Sequence, residues 1–293
     1  MVKELLLGDN PFIGVSHLAH EKSRESLKEL SIERKIQVLE AALEGGATGF
    51  TFSTHPANLE LFTYLRDNNF NLLRKFNYYI LVPYAVKYVR EATKSGTPGL
   101  LKKVLLAILS RDAIRLLISP SPSNILKLFI EMELKEYLKI LPESNIKAIL
   151  LHEVLTELII AFDLNDLIKV LKKHFNKRYF GFGLETRNLP HLKRFLDINN
   201  LRIDYIMTPL NPLGYQMTNI IEIEKDVFQL SRNHVKVIAI NILASGAVSI
   251  HESIEYLRKF DNSIYAIAIG TSKPDRAREV FKLLKSRLIN DHI

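Results

Sequence analysis

The chain has 293 residues with a formal net charge of +8, and 47% of the residues are hydrophobic. It contains no cysteine, which excludes disulfides, thiolate metal sites and a cysteine nucleophile. No apolar run reaches the ~20 residues of a membrane-spanning helix. No signal peptide precedes the first predicted strand, so we expect a cytoplasmic protein.

The positive charge is spread over the predicted helices instead of forming one surface. The short cluster Lys172-Lys173-His174 is typical of a solvated helix face. We therefore expect a small anionic ligand, and neither a nucleic-acid partner nor a membrane. Abundant Lys, Glu, Ile and Leu with few Met residues would suit a thermophile.

Eight apolar, β-rich runs recur along the chain, each followed by a segment with helical periodicity. The predicted strands are residues 4–7, 48–53, 78–82, 146–151, 179–184, 203–207, 235–243 and 264–269. Runs without polar alternation are typical of parallel strands covered on both faces. This strand–helix alternation predicts an α/β fold, a single (β/α)8 TIM barrel spanning residues 1–293.

Four helices outside the last two repeats have clear sequence signals. Ser31 is the predicted cap of a helix over 32–43, which Gly45 and Gly46 terminate. Further helices are predicted over residues 59–68, 125–141 and 190–197.

Residues 85–145, after strand three, are more than one crossover helix needs, and they predict a helical insertion. This stretch would hold the helix over 125–141 and another over 100–109. The unusually apolar segment 99–118 within it predicts a homo-oligomer interface, with a lid over the barrel as the alternative.

Polar residues cluster where the predicted strands end, which is the face of a TIM barrel that carries its chemistry. His152 and Glu185 are the candidate catalytic residues, because a neutral imidazole and a buried carboxyl can transfer protons. The candidate substrate-binding residues are Asp9, Asn10, His55, Asn211 and Gln216. For the polar loop residues the alternative is ordinary turn formation. For the histidines the alternative is a buried histidine with a structural role. A metal site from His55, His152 and Glu185 has no supporting ligand spacing.

The last two strands each end in small residues followed by a helix. Ser245-Gly246 follows strand seven, and Gly270-Thr271-Ser272 follows strand eight. Unpaired N–H groups and the positive end of a helix dipole favour an anion at such places. The pattern predicts a phosphate site, although Gly and Ser also suit ordinary short turns.

From Glu133 onward the chain resembles the aldo-keto reductases. Leu-Leu-His ends strand four and puts His152 at the family's catalytic histidine, and Asn211-Pro212-Leu213 is similar to its strand-six segment. Residues 240–247 and 267–276 fall where the family binds cofactor pyrophosphate and adenosine phosphate. The resemblance therefore implies NADP as a cofactor. The residues implied to hold it are Ser245, Gly246, Gly270, Thr271, Ser272 and Arg276.

The first half departs from that family. Residues 51–58 lack its usual Asp and Tyr, no lysine lies near Pro83, and Glu185-Thr186 replaces its Ser-Asn after strand five. Tyr84 is a candidate substitute for the missing phenol. The resemblance thus implies the fold and an anion or dinucleotide pocket. It does not carry over reductase activity, because the residues of the usual mechanism are missing.

The leading interpretation is an enzyme that binds a phosphate-bearing ligand at the barrel rim, in concrete form a divergent NADP-linked oxidoreductase with His152 as acid/base residue. A lyase or isomerase of a phosphorylated substrate, using Glu185 and His152, is one alternative. A non-catalytic barrel that binds a nucleotide or a protein is the other.

Overall fold

The computed structural model describes residues 2–14, 30–83, 122–260 and 262–289. Eight parallel strands follow one another around a closed barrel, and β8 pairs with β1. The strands are β1 (Glu4–Gly8), β2 (Gly49–Ser53), β3 (Asn77–Val82), β4 (Ile146–Leu151), β5 (Gly181–Glu185), β6 (Tyr205–Pro209), β7 (Lys236–Ile240) and β8 (Ala266–Gly270). The predicted (β/α)8 barrel is confirmed.

Helices cover the outside of the barrel. The described α-helices are α1 (Ile32–Gly45), α2 (Pro56–Asn68), α3 (Phe70–Leu73), α4 (Pro122–Leu138), α5 (Glu153–Ala161), α6 (Asn165–Asn176), α7 (Leu189–Ile198), α8 (Ile220–Arg232), α9 (Ile250–Leu257) and α10 (Pro274–Leu288). The predicted caps of α1 are present, because Ser31 Oγ accepts from Arg34 N and Gly46 follows in the left-handed region, with φ 106°. In the part of the chain that the structure describes, no helix combines the length and apolar character needed to cross a membrane.

The stretch predicted as an insertion after β3 is described only from residue 122 onward. It contains α4, which begins and ends three residues before the predicted helix, and a 3-10 turn at Glu143–Asn145. The predicted helix over 100–109 and the apolar segment 99–118 lie outside the described residues. The oligomer interface proposed there stays a prediction.

Seven of the eight strands differ from their predicted bounds by one to three residues, and two of these differences have local backbone reasons. β5 begins at Gly181 because Tyr179 has a left-handed φ of 61° and is 96% exposed. β7 ends at Ile240 because Asn241 has a φ of 52°, which turns the chain out of the sheet. As a result Glu185 is the last residue of β5 and lies within the barrel wall.

The strands separate two buried layers. Side chains that point inward fill the barrel, namely Leu6, Tyr79, Leu81, Ala148, Leu150, Tyr205, Met207, Ile238, Ala266 and Ala268. Side chains that point outward pack beneath the helices. Among these, the rings of Phe52 and Phe62 lie 4.7 Å apart, and the Tyr137 ring of α4 lies 5.5 Å from Phe52. The described end of the insertion is therefore anchored on the β2 side of the barrel.

Polar and aromatic side chains close the N-terminal end of the barrel, which we call the floor. Glu4 accepts hydrogen bonds from Asn77 Nδ2 (3.1 Å) and from the Tyr265 hydroxyl (2.9 Å). Lys236 Nζ donates to the Tyr205 hydroxyl at 3.0 Å and lies 4.9 Å from the centre of the Tyr265 ring. These contacts tie β1, β3, β6, β7 and the residue before β8 together.

Gly183 is a position where the barrel interior leaves no room for a side chain. A Cβ there would lie 2.4 Å from Leu150 Cδ2 and 2.7 Å from the Tyr205 carbonyl oxygen. We expect Gly183→Ala to lower the free energy of unfolding by about 1–3 kcal/mol, since overpacking a filled core costs that much. Urea denaturation measures this. Glu40→Ala, on the exposed face of α1, is the control and should change stability by less than about 0.5 kcal/mol.

Candidate active site

The C-terminal mouth of the barrel brings together three titratable side chains from three strand ends. Asp9 follows β1, His152 follows β4 and Glu185 ends β5. Leu150 and Gly183 face the barrel interior, so side-chain alternation puts His152 and Glu185, two residues further on, on the same inner side. The charge of Asp9 influences the pKa values of both His152 and Glu185. The three groups therefore share one electrostatic environment.

Asp9 is a buried carboxyl group held against the end of β2. Its Oδ2 accepts from Ser53 N (2.9 Å), Ser53 Oγ (2.9 Å) and Asn58 Nδ2 (2.7 Å). Burial raises the pKa of Asp9, while the bonds from Ser53 and Asn58 act in the opposite direction. A carboxyl group thus stands at the end of β2, where the sequence has no acidic residue, and it is supplied by β1.

One ring nitrogen of His152 accepts a hydrogen bond from the backbone, and the other can interact with a ligand in the mouth. Its Nδ1 accepts from Val154 N at 3.3 Å, which caps the start of α5. In the neutral ring the proton is then on Nε2, which becomes a hydrogen-bond donor. Burial lowers the pKa of His152, so the ring is neutral at pH 7. His152 can donate a hydrogen bond without carrying a charge.

Glu185 is almost fully buried, with 8% of its surface exposed. Its Oε2 accepts one hydrogen bond, from Glu153 N at 3.1 Å. Burial raises the pKa of Glu185 to about 8, and Glu153 and Asp9 add to the rise while Arg187 opposes it. Arg187 forms its ion pair with Glu153 and not with Glu185. Glu185 is therefore a protonated acid at neutral pH.

The predicted substrate residues after β1 and β2 have local structural roles. Asn10 begins a 3-10 turn at Asn10–Ile13. His55 Nδ1 accepts from Ala57 N at 3.1 Å and caps α2, and its carbonyl oxygen accepts from the Tyr137 hydroxyl at 2.8 Å. His55 thus joins the end of β2 to α4, and its part in substrate binding stays a prediction.

Asn211 and Gln216, after β6, belong to a hydrogen-bonded loop. The buried Asn211 side chain accepts from Tyr215 N (2.8 Å) and donates to Tyr215 O (2.9 Å), so both ends of its amide hold the loop. Gln216 Oε1 accepts from Asn241 Nδ2, and the Tyr215 hydroxyl lies 3.3 Å from Ser245 Oγ. These bonds connect the loops after β6 and β7.

The turn after β7 uses most of its own backbone donors. Ala244 and Ser245 are left-handed, and the N–H groups of Gly246 and Ala247 donate to Leu243 O (2.8 Å) and Ala244 O (3.2 Å). The following helix α9 carries a complete capping box between Ser249 and Glu252. At this turn an anion would meet the Ser245 side chain, and not the amide of Gly246 or the start of the helix.

The loop after β8 keeps the features expected of an anion site. Thr271 Oγ1 accepts from Lys273 N at 3.3 Å and orders the loop, and no side chain caps α10, which begins at Pro274. A Cβ on Gly270 would lie 2.9 Å from Pro11, so the loops after β1 and β8 are in close contact. Ser272 is partly exposed, and Arg276 is exposed in the first turn of α10. The donor set fits a phosphate group.

Several residues at the mouth were missed by sequence reasoning. Glu133 accepts from the Thr54 hydroxyl, and Tyr137 lies four residues later, one turn along the same face of α4. That spacing, two polar residues on an otherwise apolar helix face, was the available signal. Asn58 had none, because its bond to Asp9 joins α2 to the loop after β1, 49 residues away in the sequence. Tyr84, the candidate phenol, lies outside the described residues.

Across the described ranges, no group of three His, Asp or Glu side chains is arranged to hold a metal ion.

Comparison with known proteins gives a structural match only. No protein-family model and no curated protein matches the sequence. An aldo-keto reductase of Bacillus halodurans in its holo form matches 99% of this chain and 89% of its own, with TM-score 0.60 and 12% identity. A proposed aldo-keto reductase of Pseudomonas aeruginosa covers 98% of this chain and 91% of its own, with TM-score 0.59 and 15% identity. One from Brucella melitensis has TM-score 0.52, 12% identity and coverages of 89% and 86%.

The fold is that of the aldo-keto reductases. At these identities the likeness establishes the architecture and leaves the activity open. Against the aldo-keto reductase pattern, Pro83 still stands directly after β3 where a lysine is expected. The chain has no acidic residue at the end of β2, and the Asp9 carboxyl group, from the loop after β1, accepts from Ser53 N there.

The protonated state of Glu185 has a measurable effect on stability. Its pKa is about 8 in the folded chain and has the ordinary value of 4.5 when exposed. The folded state therefore keeps a proton that the unfolded chain loses. This stabilisation is complete below about pH 4.5 and is lost as pH rises to about 8, at up to about 1.4 kcal/mol per pH unit. Glu185→Gln should remove the dependence, so the variant gains stability relative to the natural chain between pH 5 and 8.

Urea denaturation of both chains at pH 5, 6.5 and 8 tests this expectation. Glu40→Gln makes the same chemical change on the exposed face of α1, and its stability difference should be independent of pH. A Glu185→Gln difference that is equally flat would show that Glu185 is ionised in the folded protein.

Proposed function

We propose that this chain is an oxidoreductase that uses NADPH to reduce a small carbonyl compound at the barrel mouth. The observation that carries the proposal is the loop after β8, where an uncapped helix start, Ser272 and Arg276 meet at the rim. Such a start attracts a phosphate, because its first N–H groups have no intrahelical partner and the helix dipole is positive there. The fold shared with aldo-keto reductases supports the same ligand class.

The residues assigned to the cofactor divide into two sets. Thr271, Ser272 and Arg276 would hold the adenosine phosphate, next to Gly270 where the backbone comes close. Ser245 and Gly246, across the loop after β7, would line the pyrophosphate, with the Ser245 hydroxyl as the contact. Bound at the mouth, reduced nicotinamide would supply a hydride to the carbonyl carbon.

His152 would polarise the substrate. Its Nε2–H is the free donor of a neutral ring, since Nδ1 accepts from Val154 N. A neutral donor can stabilise the negative charge that develops on a carbonyl oxygen during reduction. Because Asp9 lies in the same electrostatic environment, the mouth would favour a substrate whose own charge stays away from the reacting carbonyl.

Arg276→Gln tests the phosphate site. NADPH differs from NADH by one phosphate on the adenosine ribose, and a hydrogen bond to a charged group is worth about 1.5–3 kcal/mol. We expect the variant to bind NADPH about tenfold more weakly and NADH with unchanged affinity. Calorimetric titration of each dinucleotide provides the measurement.

Arg232→Gln is the matched control, since Arg232 is exposed in the last turn of α8, toward the other end of the barrel. It should leave both affinities unchanged. If the natural chain shows no thermal stabilisation by NADPH or NADP at millimolar concentration, the proposed function is wrong, because a bound ligand must stabilise the folded state.

His152→Asn separates the capping role of His152 from its chemical role. Asparagine is a good N-cap, so α5 and the stability of the protein should be kept. It lacks a donor at the position of Nε2, and we expect single-turnover reduction of 4-nitrobenzaldehyde by NADPH to slow at least a hundredfold. His191→Asn, on the exposed side of α7, should reduce at the natural rate. If His152→Asn keeps the full rate, His152 only caps α5 and has no role in the chemistry.

A second candidate function is a lyase or isomerase acting on a phosphorylated substrate. It is favoured by Pro83 at the end of β3, since the lysine of carbonyl reduction is absent there, and by the pairing of a protonated Glu185 with a neutral His152. Such an enzyme would be stabilised by sugar phosphates and not by dinucleotides. The same thermal measurements therefore distinguish the two candidates.

A further inference from the structure

We infer that Glu185 donates the proton that the substrate oxygen takes up during reduction. The inference rests on the proposed function. It names a proton donor for the substrate oxygen, because the tyrosine and lysine expected for that step are missing. It is carried by the position of Glu185 on the inner face of β5 and by its hydrogen bonding.

Register and alternation place Glu185 beside His152. Leu151 and Leu184 are partners between β4 and β5, and His152 and Glu185 come one residue later on each strand. The backbone of Thr186 is tied to Met207 of β6 (3.0 Å), so the end of β5 is held on both sides. A carbonyl oxygen that accepts from His152 Nε2 would therefore lie next to the Glu185 carboxyl group.

Hydrogen bonding distinguishes the two carboxyl groups of the mouth. Asp9 accepts three bonds, two from Ser53 and one from Asn58. Glu185 accepts one, from Glu153 N. Each donor stabilises the ionised form, so a negative charge is better supported on Asp9 than on Glu185. Environments that separate two carboxyl groups in this way typically mark an acid and its ionised neighbour.

Four charged or titratable groups from the neighbouring elements face Glu185, and together they favour its neutral form. Glu153 at the start of α5 and Asp9 after β1 repel a negative charge, while Arg187 attracts it but is paired with Glu153. His152 is neutral and adds no attraction. β6 contributes Met207, which does not titrate.

Two tyrosines described near the mouth are held in local hydrogen bonds. The hydroxyl of Tyr137 donates to His55 O at 2.8 Å, and the hydroxyl of Tyr215 accepts from Ser245 Oγ and Gln216 Nε2. Tyr84, which the sequence offers as a substitute phenol, is a rival donor, and the experiment includes it.

The step balances without a further reactant. A bound reduced nicotinamide would supply a hydride to the carbonyl carbon. The electron pair of the broken C=O π bond would pass to the oxygen, and that oxygen would take the proton of the Glu185 carboxyl group. Glu185 is left as a carboxylate, which the Glu153 N–H and the positive end of α5 can stabilise. Solvent then returns the proton before the next turnover.

Kinetics on three variants provide the first part of the test. With NADPH and 4-nitrobenzaldehyde, Glu185→Gln should lose at least a hundredfold in single-turnover rate, while its NADPH affinity changes less than threefold. Glu185→Asp, which keeps an acid, should recover part of the rate. Tyr84→Phe tests the rival donor and should slow the reaction far less than Glu185→Gln does. The natural rate itself should fall tenfold per pH unit above about pH 8, as the acid ionises.

Infrared difference spectroscopy provides a readout independent of turnover. A protonated carboxyl band should be present at pH 7, disappear as the pH is raised past about 8, and be missing in Glu185→Gln. Glu40→Gln, on the exposed face of α1, should leave the band in place.

The outcomes separate this inference from the proposed function. If NADPH binds and Glu185→Gln keeps full turnover, or Tyr84→Phe abolishes it, the proton comes from elsewhere and the inference fails alone. The absence of the carboxyl band at pH 7 also overturns it, even if the natural chain does not reduce the probe. If no dinucleotide binds, the proposed function fails, and this role of Glu185 fails with it.

Discussion

The pairing of β8 with β1 is the interaction on which the rest of this structure depends. Five residue pairs, from Glu4–Ala266 to Gly8–Gly270, close the sheet. Closure brings the loop after β1 against the loop after β8, where Pro11 covers Gly270. On the other side of β1, Asp9 accepts from Ser53 at the end of β2, so its carboxyl group joins the first two strands. Without closure, the loops after β1 and β8 would not form one rim.

The mouth combines burial with an uneven supply of hydrogen bonds. Asp9 and Glu185 are both buried, yet three donors surround one and a single donor meets the other. Burial of a carboxyl group favours its neutral form, and each donor works against this. The difference in the number of hydrogen-bond donors thus makes Asp9 and Glu185 chemically different acids within one mouth. Their strands lie on different sides of the barrel, and only the closed sheet brings them into one environment.

The barrel could be predicted from sequence because it depends on local, repeated signals. Eight apolar runs alternating with helical segments define it, and a cap such as Ser31 is visible from its neighbours alone. The bounds of β5 and β7 were less predictable, since they depend on left-handed residues at Tyr179 and Asn241. His152 and Glu185 could be identified as candidate site residues because they stand at the ends of predicted strands.

The bonds made by the strand-end side chains could not be predicted in the same way. The contact between Asp9 and Asn58 spans 49 residues, and the internal bonding of the turn after β7 depends on its exact backbone. Long-range partners of this kind leave no periodic trace in a single sequence, because any of several strand ends could supply them. The strand-end residues of the mouth were therefore accessible to sequence reasoning, whereas their partners Asn58 and Glu133 were not.

The floor has a consequence for access to the mouth. Glu4, Asn77, Lys236 and three tyrosine rings fill the N-terminal end, so no ligand can reach the mouth through the barrel from that side. Under the proposed function, a dinucleotide and a carbonyl compound would both enter from the C-terminal side. The one that lies nearer the barrel would then bind first and leave last.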